Sequence, residues 1–435
     1  MPGRIAGVVV ATLTAGTFLA VPAAPASAAP SSAGKKPAAV PNAPGNRLLI
    51  PDLPELTDQT GAGRSTTSSP LRDAVEDVVE AGAIGSSVRV RTGKRVTAGA
   101  AGLADRDTGR RLRADDQFEI GSNTKTMMAT IALQLVGEGK LGLDDSLEEL
   151  LPGFVPGGKN ITLRMLLRHT SGLYNYTSDP ELIEGFFADP TAYYSPEELA
   201  AEAVKRPPVF EPDARWEYSN TNYLLVGLIL ERATGRTPAD LLQERIARPL
   251  GLRHTYLPTN AASNTGRGYA HGYTATVTGP SSRPEIEYTD VSDWSLSWAW
   301  TAGAVISTTP DLSLFISALL SGRLLRPAQL AAMLATVPMD PERAGGYGLG
   351  ILRVDTPCGP VWGHTGGTLG HSSLMFASPN GHRTLGADTT TVFNDEGEPS
   401  APTKALREAE NKLLLTAVCR LYDKDVPQGT NDSRS

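Results

Sequence analysis

Apolar residues near the start of the ordered sequence recur with a helical period. Ser69 and Pro70 provide a suitable N-cap and first helical residue. The apolar positions that follow are spaced by three and four residues: Leu71, Ala74, Val75, Val78 and Val79. This spacing predicts an amphipathic helix.

Alternating apolar and polar positions then predict strands at both ends of the domain. Val88 and Val90 are separated from Val96 by Thr92-Gly93-Lys94, which indicates a hairpin. Near the other end, residues 372–377 and 383–391 flank the turn residues 379–381.

Residues 404–421 are predicted to form a closing helix, and residues 122–252 are mostly helical in pattern. This order of elements predicts an α/β (α+β) fold. An antiparallel sheet carries the terminal helices on one face, beside a mostly helical lobe.

The first 68 residues differ in composition from the rest. Residues 1–28 contain Arg4, an apolar run from Ile5 to Val21 and the small residues 26–28, which predicts a secretory signal peptide cleaved near Ala28. A membrane anchor is the alternative, although no later segment has the ~20 apolar residues of a spanning helix. Residues 29–68 read as an Ala, Pro and Ser-rich tether, 69–423 as the folded domain and 424–435 as a disordered tail. We therefore expect a secreted protein.

Charge and histidine spacing exclude some classes of partner. The net charge is -7, with Lys and Arg spread along the chain, so nucleic acid is not expected to bind. The six histidines show no metal-binding spacing, so we expect no metal and no cofactor. Oligomeric state cannot be read from these patterns.

Two cysteines, Cys358 and Cys419, occur in a chain with an export signal. Oxidising compartments favour disulfides, so one Cys358–Cys419 bond is expected. Two separate buried thiols are the alternative.

Candidate chemistry begins at Ser122 and Lys125. Serine and lysine three residues apart lie on the same face of a helix, and a helix N-terminus stabilises an oxyanion. Alone the pattern is weak, because Ser32 and Lys35 repeat it within the tether.

Two further motifs add to the first. Tyr218 and Asn220 precede an apolar helix, and a tyrosine near a lysine is a candidate general base whose pKa the lysine lowers. His364-Thr365-Gly366, followed by Gly367, offers donors to a substrate carboxylate beside a strand edge. Read singly, each motif also fits an ordinary turn.

Together the three motifs resemble the active-site triplet of the penicillin-binding and β-lactamase superfamily, most closely soluble D-alanyl-D-alanine carboxypeptidases. The similarity extends over segments between about Leu71 and Leu421, including 133–141, 168–174, 297–307 and 346–350. It implies a β-lactamase/transpeptidase-like fold and an acyl-enzyme on Ser122, with Lys125 and Tyr218 moving protons. It also implies that Asn220, Trp298 and Thr365 bind substrate, and that the N–H groups of Ser122 and Gly367 form the oxyanion hole.

The expected partners are therefore a small peptide or peptidoglycan stem peptide and β-lactams. Two departures matter: position 367 is Gly where the closest carboxypeptidases have Thr, and only Arg353 stands for their run of arginines before Cys358. A class C-like β-lactamase, a D-amino-acid peptidase and an esterase share the mechanism. A non-catalytic wall-binding or sensing module is the alternative of another class, and His169 is interpreted as a structural residue.

Overall fold

The computed structural model describes residues 69–258, 268–279, 284–340, 345–395 and 398–427. The predicted signal peptide, the tether with Ser32 and Lys35, and residues 428–435 of the predicted tail lie outside the described residues.

Helices occupy both ends and the middle of the described chain. The α-helices are α1 (Pro70–Glu80), α2 (Asn123–Gly137), α3 (Leu147–Leu150), α4 (Leu163–Arg168), α5 (Pro180–Ala188), α6 (Pro196–Lys205), α7 (Thr221–Thr234), α8 (Pro238–Leu242), α9 (Arg248–Leu250), α10 (Trp300–Gly303), α11 (Thr309–Leu320), α12 (Pro327–Met333) and α13 (Ala401–Leu421). Short 3-10 turns lie at Gly158–Asn160 and Tyr176–Ser178, and a π-helical turn at Gln243–Ala247 joins α8 to α9.

Strands precede and follow these central helices along the chain. They are β1 (Gly85–Thr92), β2 (Arg95–Asp105), β3 (Arg110–Arg111), β4 (Phe118–Glu119), β5 (Tyr273–Thr278), β6 (Glu285–Asp290), β7 (Ile306–Ser307), β8 (Gly345–Tyr347), β9 (Leu352–Thr356), β10 (Gly359–Gly367), β11 (Ser372–Ala377), β12 (Arg383–Thr389) and β13 (Thr391–Phe393). Within the described chain the main sheet has the order β3-β2-β1-β12-β11-β10-β9-β8, with antiparallel neighbours. The predicted α+β class is confirmed.

The terminal helices cover one face of the main sheet. Helices α1 and α13 pack against each other, and α1 also packs on β1 and β2. Buried side chains such as Val75, Val88 and Leu413 belong to one apolar cluster on this side. The structure joins Cys358, just before β10, to Cys419 on α13 in a disulfide. This bond ties the terminal helix to the strand that carries the His364 motif.

The other side of the sheet faces the helical lobe. Helix α2 contacts α7, α10 and β10, so it lies between the lobe and the sheet. Nearly all of its side chains are buried, and its apolar residues belong to a second large cluster with those of α4 and α7. The N-terminus of α2 is thereby held at the junction of lobe and sheet.

Two small sheets are absent from the sequence prediction. Strands β13, β5 and β6 form a three-stranded sheet in which β13 runs parallel to β5, and β4 pairs with β7. Two-residue strands carry no readable alternation, and β6 is largely exposed and polar. No helix among the described ranges is both long and apolar enough to span a membrane.

Candidate active site

Ser122 lies at the turn between β4 and α2. It is the N-cap of α2, and Gly121 before it has φ 50°, in the left-handed region that glycine adopts without strain. A Cβ at Gly121 would lie 2.5 Å from the backbone N of Gly367. The serine therefore stands where the end of β10 meets the start of α2.

Lys125 is fully buried one helical turn after Ser122. Its Nζ lies 3.0 Å from Ser122 Oγ, 2.8 Å from Asn220 Oδ1 and 2.6 Å from the carbonyl oxygen of Ala302. Burial lowers the pKa of Lys125 well below its usual value. A neutral amine can donate its two hydrogens to the oxygens of Asn220 and Ala302, and its lone pair can accept the hydrogen of the Ser122 hydroxyl. The contacts fit that form of Lys125.

Tyr218 contacts Ser122 from the other side. Its hydroxyl donates to Ser122 Oγ at 2.8 Å, and its side chain is 8% exposed. Burial raises the pKa of Tyr218, which is opposite to the lowering expected from its neighbour Lys125. Burial also favours the neutral form of that lysine, which removes the positive charge on which the expected lowering depends. Tyr218 is therefore a protonated donor, suited to acid catalysis.

Asn220 connects Lys125 to the lobe. Its Oδ1 accepts from Lys125 Nζ, and its Nδ2 donates to Thr177 Oγ1 at 3.0 Å. The backbone N of Asn220 donates to Asn175 Oδ1 at 3.0 Å. The residue thus orients the lysine, and its expected contact with substrate stays a prediction.

The end of β10 approaches the nucleophile through its backbone. A Cβ at Gly366 would lie 2.0 Å from the carbonyl oxygen of Ile120, so only glycine fits there. Gly367 adjoins Gly121 as described above, and Thr365 is 2% exposed. This edge of the sheet can present N–H groups to a reacting carbonyl.

His364, expected to donate to a substrate carboxylate, has its ring turned into the core. Its ring is fully buried; Nδ1 donates to the carbonyl of Thr365 at 2.5 Å, and Nε2 accepts from Tyr347 Oη at 3.0 Å. Burial lowers the pKa of His364 to about 3. The ring is neutral with both nitrogens engaged, so it offers a carboxylate neither charge nor donor.

Two other predicted substrate residues also have partners elsewhere. The guanidinium of Arg353 binds Asp355 at 3.0 Å, within β9 itself. Trp298 is 6% exposed and its ring lies 5.7 Å from that of Phe186 in the lobe. Hydrogen bonds link Ser122, Lys125, Tyr218 and Asn220, and none that the described residues show joins Arg353 or Trp298 to these four.

Two further groups contact this site: one that sequence reasoning missed, and His169, which it interpreted as structural. The carbonyl of Ala302 binds Lys125, and a backbone acceptor leaves no signal in side-chain patterns. His169 lies against the Tyr218 ring, with ring centroids 4.3 Å apart. Across the described ranges, no three His, Cys, Asp or Glu side chains gather in a way that would hold a metal ion.

Known proteins share both sequence and fold with this chain. Residues 71–410 match the family model described as Beta-lactamase. Penicillin-binding protein 4* of Bacillus subtilis (strain 168) is 30% identical over 326 residues, which cover 72% of this chain and 68% of that protein.

Two solved structures are similar over nearly their whole length. A D-stereospecific amidohydrolase from a Streptomyces species shares 35% identity at a TM-score of 0.71, covering 81% of this chain and 98% of that one. D-amino acid amidase from Ochrobactrum anthropi SV3, solved with L-phenylalanine amide, shares 27% identity at a TM-score of 0.69 with the same coverage.

Proposed function

Since the chain belongs to the β-lactamase family, we propose that it is an exported serine hydrolase that cleaves amide bonds of D-residue substrates through an acyl-enzyme on Ser122. One observation carries the proposal: Ser122 Oγ lies 3.0 Å from a buried lysine amine and 2.8 Å from a buried tyrosine hydroxyl. An acceptor and a donor of protons on the same hydroxyl are what acyl transfer from an amide requires.

In the proposed acylation Lys125 accepts the proton of Ser122 as Oγ attacks the carbonyl carbon. The N–H groups of Ser122 and Gly367 stabilise the oxyanion, and Tyr218 donates its proton to the leaving nitrogen as the C–N bond breaks. Lys125 then returns its proton to Tyr218. In deacylation a water attacks the ester with its proton passing to the same pair, and Ser122 is restored.

We favour a substrate whose leaving group carries no terminal carboxylate. Recognition of a terminal D-Ala carboxylate is expected from His364, Thr365 and Arg353, but His364 is buried and neutral and Arg353 is bound to Asp355, which leaves Thr365. A D-amino-acid amide or an internal D-peptide bond does not need those contacts. The two D-specific amide hydrolases similar to this chain support this choice.

A D-alanyl-D-alanine carboxypeptidase is the second candidate. The similarity to Penicillin-binding protein 4* favours it, because β-lactams mimic the acyl-D-Ala-D-Ala bond that such enzymes attack. Export is proposed from the signal-like residues 1–28, together with the Cys358–Cys419 bond.

Matched substrates test the proposal. A D-Ala-D-Ala peptide with a free carboxylate is compared with its C-terminal amide, and D-phenylalanine amide with L-phenylalanine amide. We expect the amidated and D-configured members to be cleaved faster. A strong preference for the free carboxylate would instead establish the carboxypeptidase, and preference for a chromogenic ester or a β-lactam would establish an esterase or a β-lactamase.

Mass analysis with a penicillin tests the nucleophile. Incubation over time, followed by peptide mapping, should place the adduct on Ser122 and not on Ser32. Ser122→Ala should form no adduct, and an adduct that persists in that variant would contradict the assignment. A wild-type protein that neither labels nor cleaves any of these substrates would support the non-catalytic module.

A further inference from the structure

His169 occupies a backbone conformation that few side chains adopt. It caps α4 with φ 61°, in the left-handed region, and it is fully buried. Non-glycine residues in that region are uncommon, and they persist where their surroundings enforce the conformation. Here the surroundings are the residues around Tyr218.

Hydrogen bonds attach His169 to both neighbours of Tyr218. The carbonyl of His169 accepts from the backbone N of Glu217 at 3.0 Å, and its Nδ1 accepts from the backbone N of Ser219 at 3.3 Å. Asn222 Nδ2 also donates to Nδ1, at 3.0 Å. Because Nδ1 accepts from two donors, the ring proton is on Nε2. The chain is thereby held immediately before and after Tyr218.

The imidazole ring supports the tyrosine ring directly. Their centroids are 4.3 Å apart with an interplanar angle of 37°. The rings of Tyr347 and Tyr223 lie 4.9 and 5.4 Å from His169 on its other sides, so the imidazole has little freedom. Burial, with a smaller contribution from Lys125, lowers the pKa of His169 well below its usual value, so the ring is neutral.

We propose that His169 is a positioning residue that holds the Tyr218 hydroxyl against Ser122 Oγ through two backbone hydrogen bonds and one ring contact. The proposal rests on the proposed function, in which Tyr218 moves a proton. A hydroxyl displaced by about 1 Å loses a 2.8 Å hydrogen bond, and misplacement of that size is associated with a rate loss of about 10². Among the described residues, no hydrogen bond joins His169 to Lys125 or Ser122.

The variant His169→Asn separates the backbone hydrogen bonds of His169 from its ring contact with Tyr218. Asparagine tolerates the left-handed conformation, and its Oδ1 replaces Nδ1 as an acceptor attached to Cγ, while the supporting ring is removed. We expect acylation by a chromogenic β-lactam to slow by a factor of about 10 to 10², with the dissociation constant of the non-covalent complex unchanged within about twofold.

A double-variant cycle with Tyr218→Phe distinguishes positioning from general support of the fold. If His169 acts through the tyrosine hydroxyl, His169→Asn has no further effect on the rate once that hydroxyl is gone. A purely structural role would slow both backgrounds equally. Leu406→Ala, a buried change on α13, is the matched control that lowers thermal stability without touching the site.

Asn222→Ala is the second variant, should His169→Asn fail to fold. It removes one donor to Nδ1 and leaves the ring in place, so a smaller loss of about threefold is expected, again only when Tyr218 is present. Equal losses in both backgrounds, or a His169→Asn rate within about twofold of wild type, overturn the proposal. Failure of the wild type both to be acylated by the β-lactam and to cleave the D-amides would instead overturn the proposed function itself.

Discussion

Lys125, Tyr218 and Asn220 form what we call the helical wall of the site, and residues 364–367 of β10 form the sheet wall. In the helical wall, side-chain atoms make the polar contacts around Ser122. In the sheet wall, the His364 ring is turned into the core, and glycine backbone approaches the nucleophile. Side-chain changes should therefore impair chemistry on the helical wall and packing on the sheet wall.

The largest effect on rate is expected from Lys125→Met, which preserves length and removes the proton acceptor. Loss of a general base lowers the acylation rate by about 10² to 10⁴. Stopped-flow acylation of Ser122 measures it. The same exchange at exposed Lys140, which pairs with Glu138 at 3.0 Å, is the control and should leave the rate unchanged.

The pH dependence of acylation sharpens this prediction. The amine accepts a proton only when neutral, so the rate should fall as pH drops through the pKa of Lys125. Because burial lowers that pKa well below its usual value, the fall in rate should occur at a pH well below the range in which an ordinary lysine titrates. A rate that rises only in the range of an ordinary lysine would contradict a neutral Lys125.

Tyr218→Phe should have the next largest effect, and its size should depend on the leaving group. An amine leaves poorly without a proton, so amide cleavage should slow by about 10² or more. A nitrophenyl ester needs no such proton and should be affected much less. Paired amide and ester kinetics measure this, with the exposed Tyr193→Phe as control. Equal losses on both substrates would favour Tyr218 as the base for Ser122.

The difference between the walls also decided what the sequence could predict. Ser122, Lys125 and Tyr218 were identified by residue type and order, because their chemistry depends on the side chain. The burial of the His364 ring could not be predicted in the same way, because a motif does not state which face of a strand a side chain occupies or what lies behind it. Tyr347, its buried partner, is 17 residues away and carries no pattern that links the two.

For the fold, elements with a local sequence pattern could be predicted, and pairings between distant segments could not. The α1 helix and the β1–β2 and β11–β12 hairpins were predicted because their periodicity or turn residues are local. The β4–β7 pairing joins Phe118 to Ser307 across the whole lobe, and two residues a strand are too few for any period. Contacts of that kind depend on tertiary packing, as does the approach of Gly366 to Ile120.

On the sheet wall, His364→Ala should change the rate little. The ring does not contact Ser122, so KM should change by less than about threefold, equally for a free-carboxylate peptide and its amide. The unfolding free energy should fall by about 1 to 3 kcal/mol, because Tyr347 Oη loses its buried hydrogen bond to the His364 ring and keeps only that with Tyr223. Steady-state kinetics and urea unfolding measure both. A KM increase confined to the carboxylate substrate would restore the predicted binding role.

Behind the sheet wall lies a partly buried residue, Glu410, whose carboxyl group the site does not use. Glu410 on α13 faces Ser372 of β11 and Thr389 of β12, which are cross-strand partners. Burial is the largest influence and raises the pKa of Glu410 to about 7, with nearby Asp388 acting in the same direction. The folded state therefore holds this proton more tightly than the unfolded chain does.

Glu410→Gln should leave acylation unchanged and alter only the stability profile. The contribution of a carboxyl group with a raised pKa is complete below its unfolded value of 4.5 and is lost as pH rises through about 7. From about pH 4 to about pH 8 the wild type should lose about 3 kcal/mol of unfolding free energy from this group. Glutamine keeps the shape and does not ionise, so the variant should be the more stable protein at the alkaline end.

Urea unfolding across that range, with Glu408→Gln on the exposed side of α13 as the matched control, measures the difference. Parallel pH profiles for the wild type and Glu410→Gln would mean that the carboxylate is ionised without cost in the folded protein.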